Sequence, residues 1–342
     1  MDETFINHMK EVNKQFGPER HAAIPLYEDP TRYPVDQLVE LALLDRRITE
    51  CRSFDERAVL ISRFSELRRS IRLKDNAPER IYLWPEGKMP QSTNYIDNSD
   101  FRYAHDPDFK PYMLEMLLPD DAEAIGALVL IAGGEHGAGT INECYQVGME
   151  FNERGYQCFI LHNRPNMMPW NGYECGADTA RAIRYIRRNA AKYRIDPNHI
   201  AAAGFSNGGL TVEYCIRYYS GKQTVADHFP GYVPDELDEF GGSPDLQICV
   251  YGPRFKGDEF DYTNVVYPPS FFAVGREDKG AMANLFPVFC QLTERGIPVE
   301  VHTFSGHPHG YAGWKIMDGK GNPNFDLWVP LADHFMRDAY KK

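Results

Sequence analysis

The chain of 342 residues contains no uninterrupted apolar stretch approaching the roughly 20 residues that a membrane span needs. Its opening residues, MDETFINHMKEVNKQFG, are charged throughout and hold no apolar core, so no secretory leader is read there. The seven cysteines (Cys51, Cys144, Cys158, Cys175, Cys215, Cys249 and Cys290) are scattered singly, and none forms a C-x-x-C pair. This pattern indicates neither a disulfide framework nor a cysteine zinc site, and it predicts a reduced, cytoplasmic compartment. Positive charge is also short: 37 Lys and Arg stand against 49 Asp and Glu, a formal net charge of −12. That balance argues against nucleic acid or an anionic membrane as partner, since both demand a basic surface. No internal repeat or low-complexity tract occurs.

Apolar material is ample. Hydrophobic residues make up 43% and aromatic residues 13%, enough for one large α/β domain with an extension. The first 75 or so residues read as helical. PVDQLVELALLDRRITE opens on Pro34 and places Val35, Leu38, Val39, Ala42 and Leu43 at helical spacing. FDERAVLISRFSELRRSIRL does the same with Ala58, Ile61, Phe64, Leu67 and Ile71. An antiparallel helical pair is expected over residues 1–78, packed on the main domain or on another subunit, the latter implying a homo-oligomer; a lid over a pocket is the other reading. From Glu79 the pattern changes to strands (RIYLWP, KPYMLEMLLP, ALVLIAGG, GYQCFILHN, HIAAAGFS, LQICVYG, SFFAVG, PVEVHTF) alternating with helices such as DTARAIRYIRRNAAKYRI and ANLFPVFCQLTERG. Continuous apolar strands between helices predict a mostly parallel sheet covered on both faces over residues 79–342. Ligands bind such a sheet at the carboxyl ends of its strands.

Within this frame GFSNGG, from Gly204, follows a buried strand and opens a helix. Such a turn lifts a serine, here Ser206, out of the sheet as a nucleophile. A serine needs a base, and the base needs an orienting acid, in the chain order Ser, acid, His. Asp278 follows SFFAVG in the loop REDKG, with Glu277 beside it and Asp258 and Asp261 after the preceding strand as rivals. His309 and His307 both lie in SGHPHGYAG after the last strand; His309, before Gly310 and Tyr311, is favoured. The glycine-rich turn IAGGEHGAG lacks the G-x-x-x-x-G-K-[ST] and G-x-G-x-x-G phosphate motifs. It is read as one side of an oxyanion hole, with Asn207, after the serine, as the other.

These landmarks, with LWPEG, VLIAGGEH, DPNHIAAAGFSNGG, YPPSFFAVGREDKG and GHPHGYAG, resemble a serine hydrolase of the α/β-hydrolase superfamily. More narrowly, they resemble the carbohydrate-esterase-like group of acetyl xylan esterases and feruloyl-esterase-like proteins. The resemblance implies Ser206 as nucleophile, Asp278 as orienting acid, His309 as base, and Gly134, Glu135 and Asn207 at the oxyanion N–H positions. Glu135 departs from the group's usual third glycine, and Asn207 from its usual small residue. By this resemblance the substrate is an acylated sugar or other small ester, and no metal or organic cofactor is required. An amidase, peptidase or arylformamidase on the same fold, or a non-catalytic binding protein, are the alternatives. Tyr173, Trp170, Tyr311 and Trp314 are candidates to line a sugar pocket, or else core and surface residues.

Overall fold

The computed structural model describes residues 3–91, 109–134, 139–164, 172–257, 260–318 and 324–341. The chain opens with three helices, α1 (Glu3–Glu28), α2 (Val35–Glu50) and α3 (Phe54–Ser70). The helical pair expected from the sequence is α2 and α3. The residues before it form a further helix of 26 residues that runs through Pro18 and Pro25. Each proline removes a helix N–H, but burial of Val12, Phe16, Ala23, Ile24 and Tyr27 holds this helix against its neighbours. Phe16 meets Phe64 of α3 edge to face, with centroids 4.8 Å apart. Ser53 caps α3 by accepting from the Glu56 N–H, satisfying one of the donors that a helix start leaves open.

Asp29, fully buried just after α1, ties this unit to the sheet. Its carboxylate accepts from Arg32 and Arg80 and from the Tyr112 hydroxyl at 2.7 Å. The paired charges and the phenol leave neither buried carboxylate oxygen without a partner.

The sheet follows. It consists of β1 (Ile81–Tyr82), β2 (Tyr112–Met116), β3 (Gly126–Ile131), β4 (Tyr156–His162), β5 (Ile200–Phe205), β6 (Leu246–Val250), β7 (Ser270–Gly275) and β8 (Val299–Phe304). Its order is β1-β2-β4-β3-β5-β6-β7-β8. β1 pairs antiparallel with β2, and β2 with β4; the other pairs are parallel. β3 to β7 are buried along their whole length, as continuous apolar runs require. The edge strand β8 is half-exposed. RIYLWP yields only a two-residue strand.

Between β3 and β4 lie a π-helical turn (Thr140–Gln146) and α4 (Val147–Asn152). Then come α5 (Tyr173–Arg188), α6 (Ala190–Tyr193), α7 (Asn207–Tyr219), α8 (Val225–His228), α9 (Lys279–Glu294), α10 (Trp314–Asp318) and α11 (Trp328–Ala339). α5 starts a turn earlier than its amphipathic stripe implies, because Gly172, at φ 87°, opens it, and Cys175 and Ala177 bury there. The two faces of the sheet are told apart at the end of β5. Gly204 lies against Gly208 of α7, while the next side chain, Phe205, meets Trp328 of α11 with centroids 5.9 Å apart. Successive strand residues point to opposite faces, so α7 and α11 cover opposite sides. α5 packs with α7, and Phe151 of α4 with Trp328 of α11. No helix among the described residues is long and apolar enough to cross a membrane.

Candidate active site

The strand order reverses direction between β3 and β5, and there the chains leaving the two strands diverge. Clefts of α/β sheets form at this switch point. Ser206 follows β5 directly with φ +50°, a conformation that costs a side-chain-bearing residue free energy and turns the chain sharply into α7. The flanking glycines make that turn possible by close approach. A Cβ on Gly204 would lie 2.2 Å from the Gly208 carbonyl oxygen, and one on Gly208 would lie 2.1 Å from that of Ile131. The composition of GFSNGG is thus set by the packing of α7 onto β3 and β5.

The Ser206 hydroxyl is 2.7 Å from Nε2 of His309. Nδ1 of His309 lies 2.5 Å from the Asp278 carboxylate. That acid has a second duty: its other oxygen accepts the Ala281 N–H at 3.0 Å as the cap of α9. α9 therefore starts at Lys279, before the point its apolar stripe marks, and its first turn orients the acid. The Asp278 side chain is 9% exposed and that of His309 is 53% exposed. The imidazole is open to solvent while the carboxylate is shielded, an arrangement that holds one imidazole tautomer and orientation.

The rivals take other positions. Glu277 accepts the N–H groups of Gly306 and His307, both at 2.9 Å, and so shapes the histidine loop from outside. These bonds hold its carboxyl below the usual range. His307 is buried, with its ring nitrogens on the carbonyls of Ser305 and Asn324. Asp261 is exposed and accepts from Thr263 N–H; Asp258 lies outside the described residues. Tyr311 is fully buried beside His307 and is core. Tyr173 stacks on His228, Trp314 donates to the Gly310 carbonyl, and Trp170 lies outside the described residues.

Of the residues expected at the oxyanion positions, Gly134 ends the described part of the glycine turn at φ +66°, and Asn207 opens α7 next to the serine. Glu135 lies outside the described residues. One residue of this region is not read from sequence. Glu143, in the π-helical turn, accepts the Gly133 N–H at 2.6 Å and the Tyr251 hydroxyl at 2.7 Å. Burial pushes its carboxyl up, against the lowering effect of those two bonds and of His309. The Gly133 N–H is thereby engaged by a buried carboxylate, which fixes the start of the glycine turn. Glu143 sits in TINECYQ, a stretch with no recognisable motif, and its partner Tyr251 lies 108 residues away in the chain, so no local signal marks it. Tyr251, at φ +43°, carries its ring between His309 and Tyr311, 5.1 and 5.0 Å from their centroids.

Residues 114–215 match the BD-FAE family model, a stretch that includes the glycine turn and the elbow and ends before Asp278 and His309. Over 161 residues the chain is 28% identical to endo-1,4-beta-xylanase B of Butyrivibrio fibrisolvens, covering 46% of this chain and 24% of that protein. The matched part thus spans about a quarter of that relative's length. Among solved structures, an acetyl ester-xyloside bifunctional hydrolase from Caldicellulosiruptor lactoaceticus superimposes with TM-score 0.57 at 21% identity, over 78% of this chain and 98% of that one. Esterase 2 of Thermogutta terrifontis, solved with butyrate bound, gives TM-score 0.52 at 18% identity over 68% and 90%. The chain is an α/β-hydrolase in fold. Its resemblances, in the family model and in the solved structures, are to carboxylic-ester hydrolases.

Proposed function

We propose that this protein is a serine carboxylic-ester hydrolase that removes acetyl or other short acyl groups from sugars or small esters. The observation that carries the reading is the unbroken relay Ser206–His309–Asp278, with contacts of 2.7 and 2.5 Å at the tip of the elbow. His309 takes the hydroxyl proton as Ser206 attacks the ester carbonyl. The tetrahedral oxyanion is held by backbone N–H groups of the glycine turn, Gly134 and Glu135, and of Asn207. The imidazolium, held by Asp278, then gives its proton to the leaving alcohol. Water, deprotonated by the same imidazole, releases the acid and restores Ser206.

A short acyl group is supported by the Thermogutta terrifontis esterase, solved with butyrate. A sugar alcohol is supported by the acetyl ester-xyloside hydrolase and by the xylanase B relative. The test is turnover of p-nitrophenyl acetate, butyrate and octanoate, followed by acetylated xylo-oligosaccharides. Preference for the short esters and release of acetate from the sugars is the expected result. A folded protein inactive on all of them contradicts the proposal.

A further inference from the structure

We infer that the N-terminal helical unit is a working part of the active site, clamping the two segments that carry the oxyanion turn and the base, with Trp314 as the positioning residue that transmits its hold to His309. The inference rests on the esterase reading above.

The apolar faces of α1, α2 and α3 form a core of their own, separate from that of the sheet, and it includes Val12, Phe16, Leu38, Leu41 and Phe64. That core also contains Ile141, fully buried, and Ile316 and Met317 pack against it. Ile141 belongs to the π-helical turn, two residues before Glu143, which holds the Gly133 N–H. Ile316 and Met317 belong to α10, which begins five residues after His309. The helices thus complete their core with side chains taken from both flanks of the catalytic cleft.

The connection continues to the base. The guanidinium of Arg46, on α2, lies over the Trp314 ring at 5.4 Å. The Trp314 indole N–H donates to the carbonyl of Gly310, the neighbour of His309, at 2.6 Å. The two clamped segments also touch one another: a Cβ on Gly313 would lie 2.0 Å from the Asn142 carbonyl oxygen. Backbone packed this closely moves as a block. A displacement of the helices therefore shifts the oxyanion turn and the base relative to Ser206. Misplacement by about 1 Å is worth as much as a hundredfold in turnover.

The experiment compares the full-length wild type with Trp314→Phe and Ile141→Ala. Trp314→Phe keeps an aromatic ring near Arg46 and loses the indole donor with part of the ring's bulk; Ile141→Ala leaves a cavity in the shared core. Both are measured for kcat and KM on p-nitrophenyl acetate, for the rate at which diethyl p-nitrophenyl phosphate labels Ser206, and for thermal unfolding. The expected result is a fall in kcat and in labelling rate of roughly ten- to a hundredfold, with KM changed less than about threefold. A purely structural role lowers the melting temperature and leaves kcat of the folded enzyme within about twofold, and that outcome overturns the inference. If Ile141→Ala does not fold, Trp314→Phe decides alone. Wild type that neither turns over the ester nor labels at Ser206 rejects the esterase reading instead, so the two failures are distinct.

Discussion

The hydroxyl of Tyr251 donates to the carboxylate of Glu143 at 2.7 Å, and the ring that carries it lies 5.1 Å from the imidazole of His309. A buried acid thus joins the glycine turn, through the Gly133 N–H, to the aromatic ring beside His309. The pair explains why Tyr251 is held at a positive φ: the turn after β6 delivers its phenol to Glu143.

Glu143 makes stability depend on pH in a defined direction. Burial raises its folded-state pKa above the ordinary carboxylate value. Between the two values the folded protein holds a proton that the unfolded chain has released. Its contribution is complete below the ordinary value and is lost as pH rises through the raised one, with a slope of at most about 1.4 kcal/mol per pH unit. Glu143→Gln keeps an acceptor for the Gly133 N–H and removes the titration. Thermal unfolding from pH 4 upward is expected to show the variant gaining on the wild type as pH rises; parallel curves contradict this assignment.

The two carboxylates of the REDKG loop are expected to separate by role. Asp278→Asn keeps the shape and presents the wrong partner to Nδ1 of His309, and kcat is expected to fall by about 10⁴. Glu277→Gln leaves the Ser206–His309–Asp278 contacts intact, keeps one acceptor oxygen and takes the acceptor from one of the Gly306 and His307 N–H groups. Its kcat is expected to stay within about tenfold of wild type, judged against the loss from removing a group in the relay. Steady-state kinetics on p-nitrophenyl acetate distinguishes them, and equal losses would remove Asp278 from its role.

Gly252, after β6, passes so near the elbow that a Cβ there would lie 2.0 Å from the Ser206 carbonyl oxygen. Both partners are backbone, so neither yields cheaply. Gly252→Ala is expected to destabilise by about 1–3 kcal/mol or more, and to lower kcat because relief comes by moving Ser206. Denaturant unfolding together with kcat on the folded fraction checks both effects.

The three side chains that the structure brings together, Ser206, His309 and Asp278, were more legible in the sequence than the packing around them. Ser206 and Asp278 sit just past buried apolar strands and His309 in the loop after the last strand, so local pattern and chain order mark them as candidates. The parallel strands were visible because burial on both faces demands unbroken runs such as ALVLI and IAAAGF. Other elements left little local trace. α1 carries two prolines and a polar sequence, and its buried side chains pack in the core it shares with α2, α3 and Ile141. α11 buries Trp328, Val329, Ala332 and Met336 against the sheet, but its position in the fold, not a motif, gives it that task. Glu143 and Ile141 act across long sequence separations, on Tyr251 and on the N-terminal helices, and no periodicity encodes such a contact. The boundary of α9 shows the same effect: its first turn is organised by Asp278, whose placement serves the site as well as the helix.

The most direct test of the central claim is the reaction of the full-length protein with diethyl p-nitrophenyl phosphate, read by peptide mass and by residual turnover of p-nitrophenyl acetate, alongside Ser206→Ala. A Ser206 nucleophile predicts one diethylphosphoryl group on Ser206, activity lost in proportion to labelling, and a folded Ser206→Ala protein whose kcat is lower by at least about 10⁴. Labelling at another residue, or turnover that survives in Ser206→Ala, would contradict it.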